Sequence, residues 1–101
     1  MTNRLVLIPY IPDERMSPEE GAKLLGVSRS TLLRWSHDFG LGRLIGKKLV
    51  LSRVAVQLWI EEQHELLARY HAGDRSSEQI RHQFARQRIE LPAEVIAAAA
   101  E

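Results

Sequence analysis

The chain has no cysteine, which excludes disulfides and thiolate metal sites. It has no apolar run near the roughly 20 residues that a membrane-spanning helix needs. The opening MTNRLVLIPYIPDE has an apolar run too short, and too soon broken by Pro9, for a signal peptide. The protein is therefore expected to remain in the compartment where it is made. A large charge of one sign is also missing: the formal net charge is +1, not the strong basic excess that advertises nucleic-acid binding. None of the four histidines, His37, His64, His71 and His82, has ligand spacing with a nearby carboxylate. His64 and His71 lie two turns apart on one predicted helix and read as surface residues. No metal or cofactor site is expected. There is no nucleophile–base pair, carboxylate pair or glycine loop built to cradle phosphate, so the chain is not expected to be an enzyme. It also has no internal repeat.

What is present centres on Ser17 to Trp35, SPEEGAKLLGVSRSTLLRW. Ser17 suits an N-cap, and Pro18 suits the first helical position, where its missing N–H is harmless. Glu20, three residues after the cap, completes a capping box. Ala22, Leu24 and Leu25 give an apolar face. Gly26 ends the helix, because glycine enters the left-handed C′ conformation without penalty. Val27 then reads as a buried turn residue, and Ser28 caps a second helix. On that helix Leu32 and Trp35, three apart, share one face and pack back on the first. Arg29, Ser30 and Arg34 then face outward. Two short helices, a glycine turn and a polar, basic start to the second describe a helix-turn-helix.

After SHDFGLG come two β-rich runs, Arg43 to Ile45 and Leu49 to Leu51, flanking Gly46-Lys47-Lys48. This predicts a hairpin with a basic tip. Directly after a recognition helix, such a hairpin is a wing, and its lysines reach phosphates beside the groove. Charge distribution agrees. Between residues 29 and 48 the bases are Arg29, Arg34, Arg43, Lys47 and Lys48, against the single acid Asp38, while Glu14, Glu19, Glu20, Glu61, Glu62 and Glu65 lie outside. A basic face on a near-neutral chain fits a phosphate footprint; a solvated surface of uneven charge is the plainer reading.

The 101 residues make one domain with room for an appendage. Residues 1–16 read as an N-terminal arm or edge strand. RLVLIPYI is β-branched and apolar, with Pro9 confining it to an edge, and it is expected to cover core behind the helices; addition to a sheet or to a partner is the alternative. Pro12 to Met16 is a polar linker. Residues 17–60 form the winged unit. Ser52 caps a third helix that runs on to a stop at Gly73, with Val56, Ile60, Leu67 and Tyr70 along one stripe. Residues 61–101 are a helical extension: the rest of that helix, a fourth capped by Ser76 or Ser77 with Ile80, Phe84 and Ile89, and an alanine-rich tail after Pro92. Leu67, Tyr70, Ile80 and Phe84 lie beyond the winged core and need covering. Either the fourth helix folds back on the third, or two chains pair through this stripe. The sparse apolar face of the fourth helix points to pairing.

The pieces LLGVSRSTLLRW, GRLIGKK and LSRVAVQLWI together resemble the MerR-like winged helix-turn-helix, in the branch of phage and transposon excisionases. The resemblance covers Ser17 to about Ile60. It implies a mainly α fold with a small β-hairpin wing. It implies that Ser28, Arg29, Ser30, Thr31 and Arg34 contact the major groove or phosphates, that Lys47 and Lys48 are wing contacts, and that Trp59 is structural. Arg43 completes the candidate DNA-binding set. The implied function is that of a recombination directionality factor: a DNA-binding protein without catalytic activity that bends double-stranded DNA, assembles as a homo-oligomer on repeated sites, and steers an integrase toward excision. The setting implied is the cytoplasm of a bacterial or phage-infected cell. A small transcriptional regulator, a phage terminase small subunit and a protein-interaction module are the alternatives. Family members often have a further arginine in the second wing strand, where this chain has Val50.

Overall fold

The computed structural model describes residues 4–8 and 10–92. Pro9 and the alanine-rich tail after Pro92 lie outside the described residues. Five helices and a three-stranded antiparallel sheet are described: β1 (Arg15–Met16), α1 (Pro18–Leu25), α2 (Arg29–Phe39), β2 (Gly42–Ile45), β3 (Lys48–Ser52), α3 (Arg53–Ile60), α4 (His64–His71) and α5 (Glu78–Arg86). The sheet order is β1-β3-β2. Met16 pairs with Leu51, and Ile45 with Lys48 across the hairpin. The fold is a mainly α winged helix-turn-helix with helices added at its C-terminal end.

Local chemistry sets the helix starts. Ser17, Ser28, Ser52 and Ser77 each accept a backbone N–H three residues on, the standard N-cap contact. The capping box at Ser17 is only half made. The Glu20 carboxylate does not turn back to the cap; it takes a bidentate pair of hydrogen bonds from Arg53, at 2.5 and 3.2 Å. That contact ties α1 to the start of α3, and Arg53 holds the Glu20 carboxyl below its ordinary range. Leu24, expected on the buried face, is 55% exposed; Gly21 is buried instead and sits against Leu51 and Leu32. Val27 is half-buried.

The sheet and α3 separate two cores. Leu49 and Leu51 of β3 face the helix-turn-helix, where Met16, Leu32, Leu41 and Val56 complete the first core. Val50 points the other way, to a second core of Val6, Leu7, Ile11, Val54, Leu58, Leu67, Tyr70, Ile80, Phe84 and Ile89. This alternation is the period of two along a strand. The second core is built by the arm and the C-terminal helices lying on the back of the winged unit. The arm covers core, as its composition predicts, but it forms no strand over residues 4–8 and 10–11. The edge strand is Arg15–Met16, within the segment read as a polar linker.

The third helix is not continuous. It stops at Ile60, and α4 begins at His64. The Gln63 N–H donates to the Leu58 carbonyl and the Glu62 N–H to the Trp59 carbonyl, with Glu62 left-handed at φ 56°. This is a Schellman stop with glutamate where glycine is usual. The reversal turns Leu67 and Tyr70 back onto the second core, leaving Ile60, a member of the expected stripe, 40% exposed. Leu67, Tyr70, Ile80 and Phe84 are all buried within one chain, so the stripe offers no surface for pairing two chains. Two arginines of the extension also find acids in the same chain: Arg86 pairs with Glu61 at 2.7 Å and Arg69 with Glu65 at 3.6 Å.

A buried polar hub joins the second core to the sheet. Glu14, fully buried, accepts from Ser52 Oγ at 2.6 Å and from the Tyr70 hydroxyl. The Leu7 N–H donates to the same Tyr70 oxygen at 3.0 Å. Burial pushes the Glu14 carboxyl above its ordinary range, against the opposing pull of Ser52, Tyr70 and Arg75. The linked contribution to stability is therefore complete below the unfolded value near 4.5 and is lost as pH rises through the raised folded value. Glu14→Gln is expected to remove that slope. Urea unfolding of both proteins from about pH 4.5 to 8 should show the wild type losing ground to the variant as pH rises; parallel curves would contradict it.

Candidate nucleic-acid interface

Recognition begins at the turn. Gly26, left-handed at φ 69°, ends α1 and lets the Val27 N–H reach the Ala22 carbonyl. Ser28 then starts α2, its Oγ accepting the Thr31 N–H at 3.3 Å and lying 3.0 Å from the Thr31 hydroxyl. α2 runs to Phe39, a full turn beyond Trp35. Leu32 is fully buried, and Trp35 and Phe39 both pack on Trp59, at centroid distances of 5.0 and 5.1 Å. These aromatic contacts fix the axis of α2 against α3. Trp59 is thus structural.

With that face buried, the rest of α2 is turned out. Ser28, Arg29, Ser30 and Arg34 are exposed, and Thr31 is half-buried. Arg29 donates to Glu19 of α1 at 2.7 Å, a pair with both side chains about 70% exposed. Water and salt screen such a pair strongly, so a phosphate can replace Glu19 at little cost. Arg34 has no carboxylate partner among the described residues. Ser28 Oγ also lies 3.2 Å from the Ser30 hydroxyl, so the first role of Ser28 and Thr31 is the cap.

The wing is a two-residue hairpin. Gly46 and Lys47 take φ of 57° and 70°, the left-handed pair that matches the twist of the strands. Asparagine or glycine is the usual second residue. A lysine there is conformationally disfavoured, and it puts a cation at the tip with Lys48 beside it, both exposed. Arg43 lies exposed on β2 opposite Val50. Val50, in the strand position where the resemblance offers an arginine, is half-buried against the second core, so the wing's cations here come from the tip and from β2. In Lys47→Asn/Lys48→Ala we expect a hairpin at least as stable, lower DNA affinity on every sequence, and a salt slope reduced by about one for each lysine that touches phosphate. Gel shifts at several salt concentrations check it; an altered sequence preference would show instead that the wing reads bases.

Two features were not legible from the linear pattern. His71, read as a surface residue, is half-buried, and its Nε2 bonds the Gly40 carbonyl at 2.8 Å. Burial holds the ring below its ordinary range, the carbonyl opposes this, and the charges of Arg4 and Arg75 add to the lowering. Arg4 of the arm donates to the His37 carbonyl at 2.9 Å, in the last turn of α2. Both contacts depend on a bare Gly40, since a Cβ there would lie 2.5 Å from the His71 ring and 2.6 Å from Arg4.

Among the described residues no group of His, Asp or Glu could hold a metal ion, and no helix is long and apolar enough to cross a membrane. Residues 15–64, from β1 to the first residue of α4, match the family model of a helix-turn-helix domain. No curated protein and no solved structure matches the chain. The match and the geometry coincide on the same elements: residues 15–64 form a helix-turn-helix DNA-binding domain.

Proposed function

We propose that this chain, a helix-turn-helix DNA-binding protein, is an excisionase-like recombination directionality factor. The observation that carries the reading is that Arg29, Ser30 and Arg34 are exposed on a firmly packed second helix and that the hairpin directly after it carries the exposed Lys47-Lys48 tip. The helix reads base edges in the major groove and the wing grips the adjacent backbone. The matched helix-turn-helix family includes excisionase-like proteins. The protein works without catalysing a reaction: it occupies repeated duplex sites as a homo-oligomer, bends the DNA and steers an integrase toward excision. Bending a site costs on the order of 1–6 kcal/mol, which added contacts recover. With the α4 and α5 stripe buried, neighbouring copies meet through other surfaces on adjacent sites.

The test places a selected binding site at different positions along a fixed-length duplex. A directionality factor is expected to give position-dependent mobility, the signature of a bend, and to stimulate excision by an integrase encoded beside it. Binding without bending or stimulation would favour a small transcriptional regulator. A ring-sized mass of the free protein, with a terminase gene adjacent, would favour a terminase small subunit.

A further inference from the structure

We propose that the groove between the arm, α2, β2 and α4 is a second seat for the DNA backbone, on which Arg4 clamps a phosphate beyond the recognition helix. The inference rests on the DNA-binding reading above.

The groove is open, about 910 Å³, and its polar lining is Arg4, His37, Arg43 and His71. No carboxylate lines it. The Arg4 and Arg43 guanidiniums, facing one space without an acid, make a local positive field on a chain of net charge +1. Arg4 is placed rather than loose: one N–H is fixed on the His37 carbonyl, and its other donors have no partner among the described residues. Arg43 likewise has no carboxylate partner there. The groove also continues the recognition surface. His37 lies one helical turn beyond Arg34. A narrower cleft lined by Leu33, His37, Arg43 and Leu49 leads along α2 to the hairpin. A backbone passing from the recognition helix to the wing follows this edge of β2. The exposed Leu44 and Ile8 on its rim, at 66% and 39%, suit the apolar faces of deoxyribose.

An acidic peptide is the competing occupant, and the experiment separates the two. Fluorescence anisotropy of the full-length protein would use two duplexes with the same core site, one ending at the recognition helix and one extended by about half a turn on the wing side. Arg4→Ala is expected to lose several-fold in affinity and about one unit of salt slope on the extended duplex only. Arg4→Gln keeps a donor for the His37 carbonyl without the charge. It should behave like Arg4→Ala if Arg4 holds phosphate, and like the wild type if Arg4 merely caps α2, which would overturn the proposal. Equal binding of both duplexes by wild type and variants would overturn it while leaving the DNA-binding reading intact. Absence of duplex binding by the wild type would overturn both. Loss of polyglutamate binding in the variants, with DNA binding unchanged, would assign the groove to a protein.

Discussion

Arg75→Ala is expected to destabilise the fold by about 3–5 kcal/mol, the range for removing one partner from a buried charged cluster. Arg75 is 2% exposed. Its guanidinium donates to the carbonyls of Tyr70 and Asp74, each at 2.8 Å, and of Leu5 at 2.6 Å. It lies 3.9 Å over the Tyr70 ring, whose hydroxyl bonds buried Glu14. One side chain thus satisfies the end of α4 and fastens the arm to it. Truncation leaves carbonyls without donors, an emptied volume, and Glu14 without its nearest buried cation. Arg75→Lys keeps the charge but cannot span the three acceptors, so it should recover only part of the loss. Chemical unfolding measures both. Since a small domain has only about 5–15 kcal/mol to lose, Arg75→Ala should unfold at clearly lower denaturant concentration and temperature than the wild type; a loss under about 1 kcal/mol would show that the hub is dispensable.

The second large effect is at the DNA. Arg34→Ala is expected to weaken specific binding by about 1–3 kcal/mol if the guanidinium reads a base edge, with little change in stability, because the side chain is exposed and without a carboxylate partner among the described residues. A phosphate contact would instead lower affinity equally on all sequences and reduce the salt slope by about one. Arg29→Ala should show a smaller net loss, because Arg29 must first leave Glu19. Unchanged binding in both variants would remove α2 from the recognition surface.

The parts of this fold that are legible in the sequence are those fixed by neighbours along the chain. Serine caps, the Gly26 turn, the Gly46-Lys47 hairpin and the outward face of α2 each follow from a few adjacent residues. Helix stops were legible only where glycine marks them. Glu62 and Arg88 are left-handed at φ 56° and 58°, and both end helices with Schellman bonds that glycine usually supports, so the break after Ile60 left no mark in an apolar pattern that keeps helical spacing through it. The hub was not legible at all. Glu14 and Arg75 sit in short polar stretches that read as linker and break, and they become buried only because arm, sheet and α4 converge from distant positions. The same convergence hides the stripe that otherwise argued for pairing, and it brings Arg4 and His71 to the end of α2. Of the candidate DNA contacts, the exposed cations and the Ser28 cap could be placed from the sequence, whereas the bond that engages the Thr31 hydroxyl with Ser28 needed coordinates.

The most direct test of the account is selection of duplex targets from a randomised pool by the full-length protein, run in parallel with Arg34→Ala at about 0.15 M salt. Sequence-specific recognition by α2 predicts that the wild type enriches one short motif, and that Arg34→Ala relaxes the preference at one or two adjacent positions of that motif while leaving the rest. Recovery of the same motif with undiminished information by Arg34→Ala, or no enriched motif from the wild type, would contradict it.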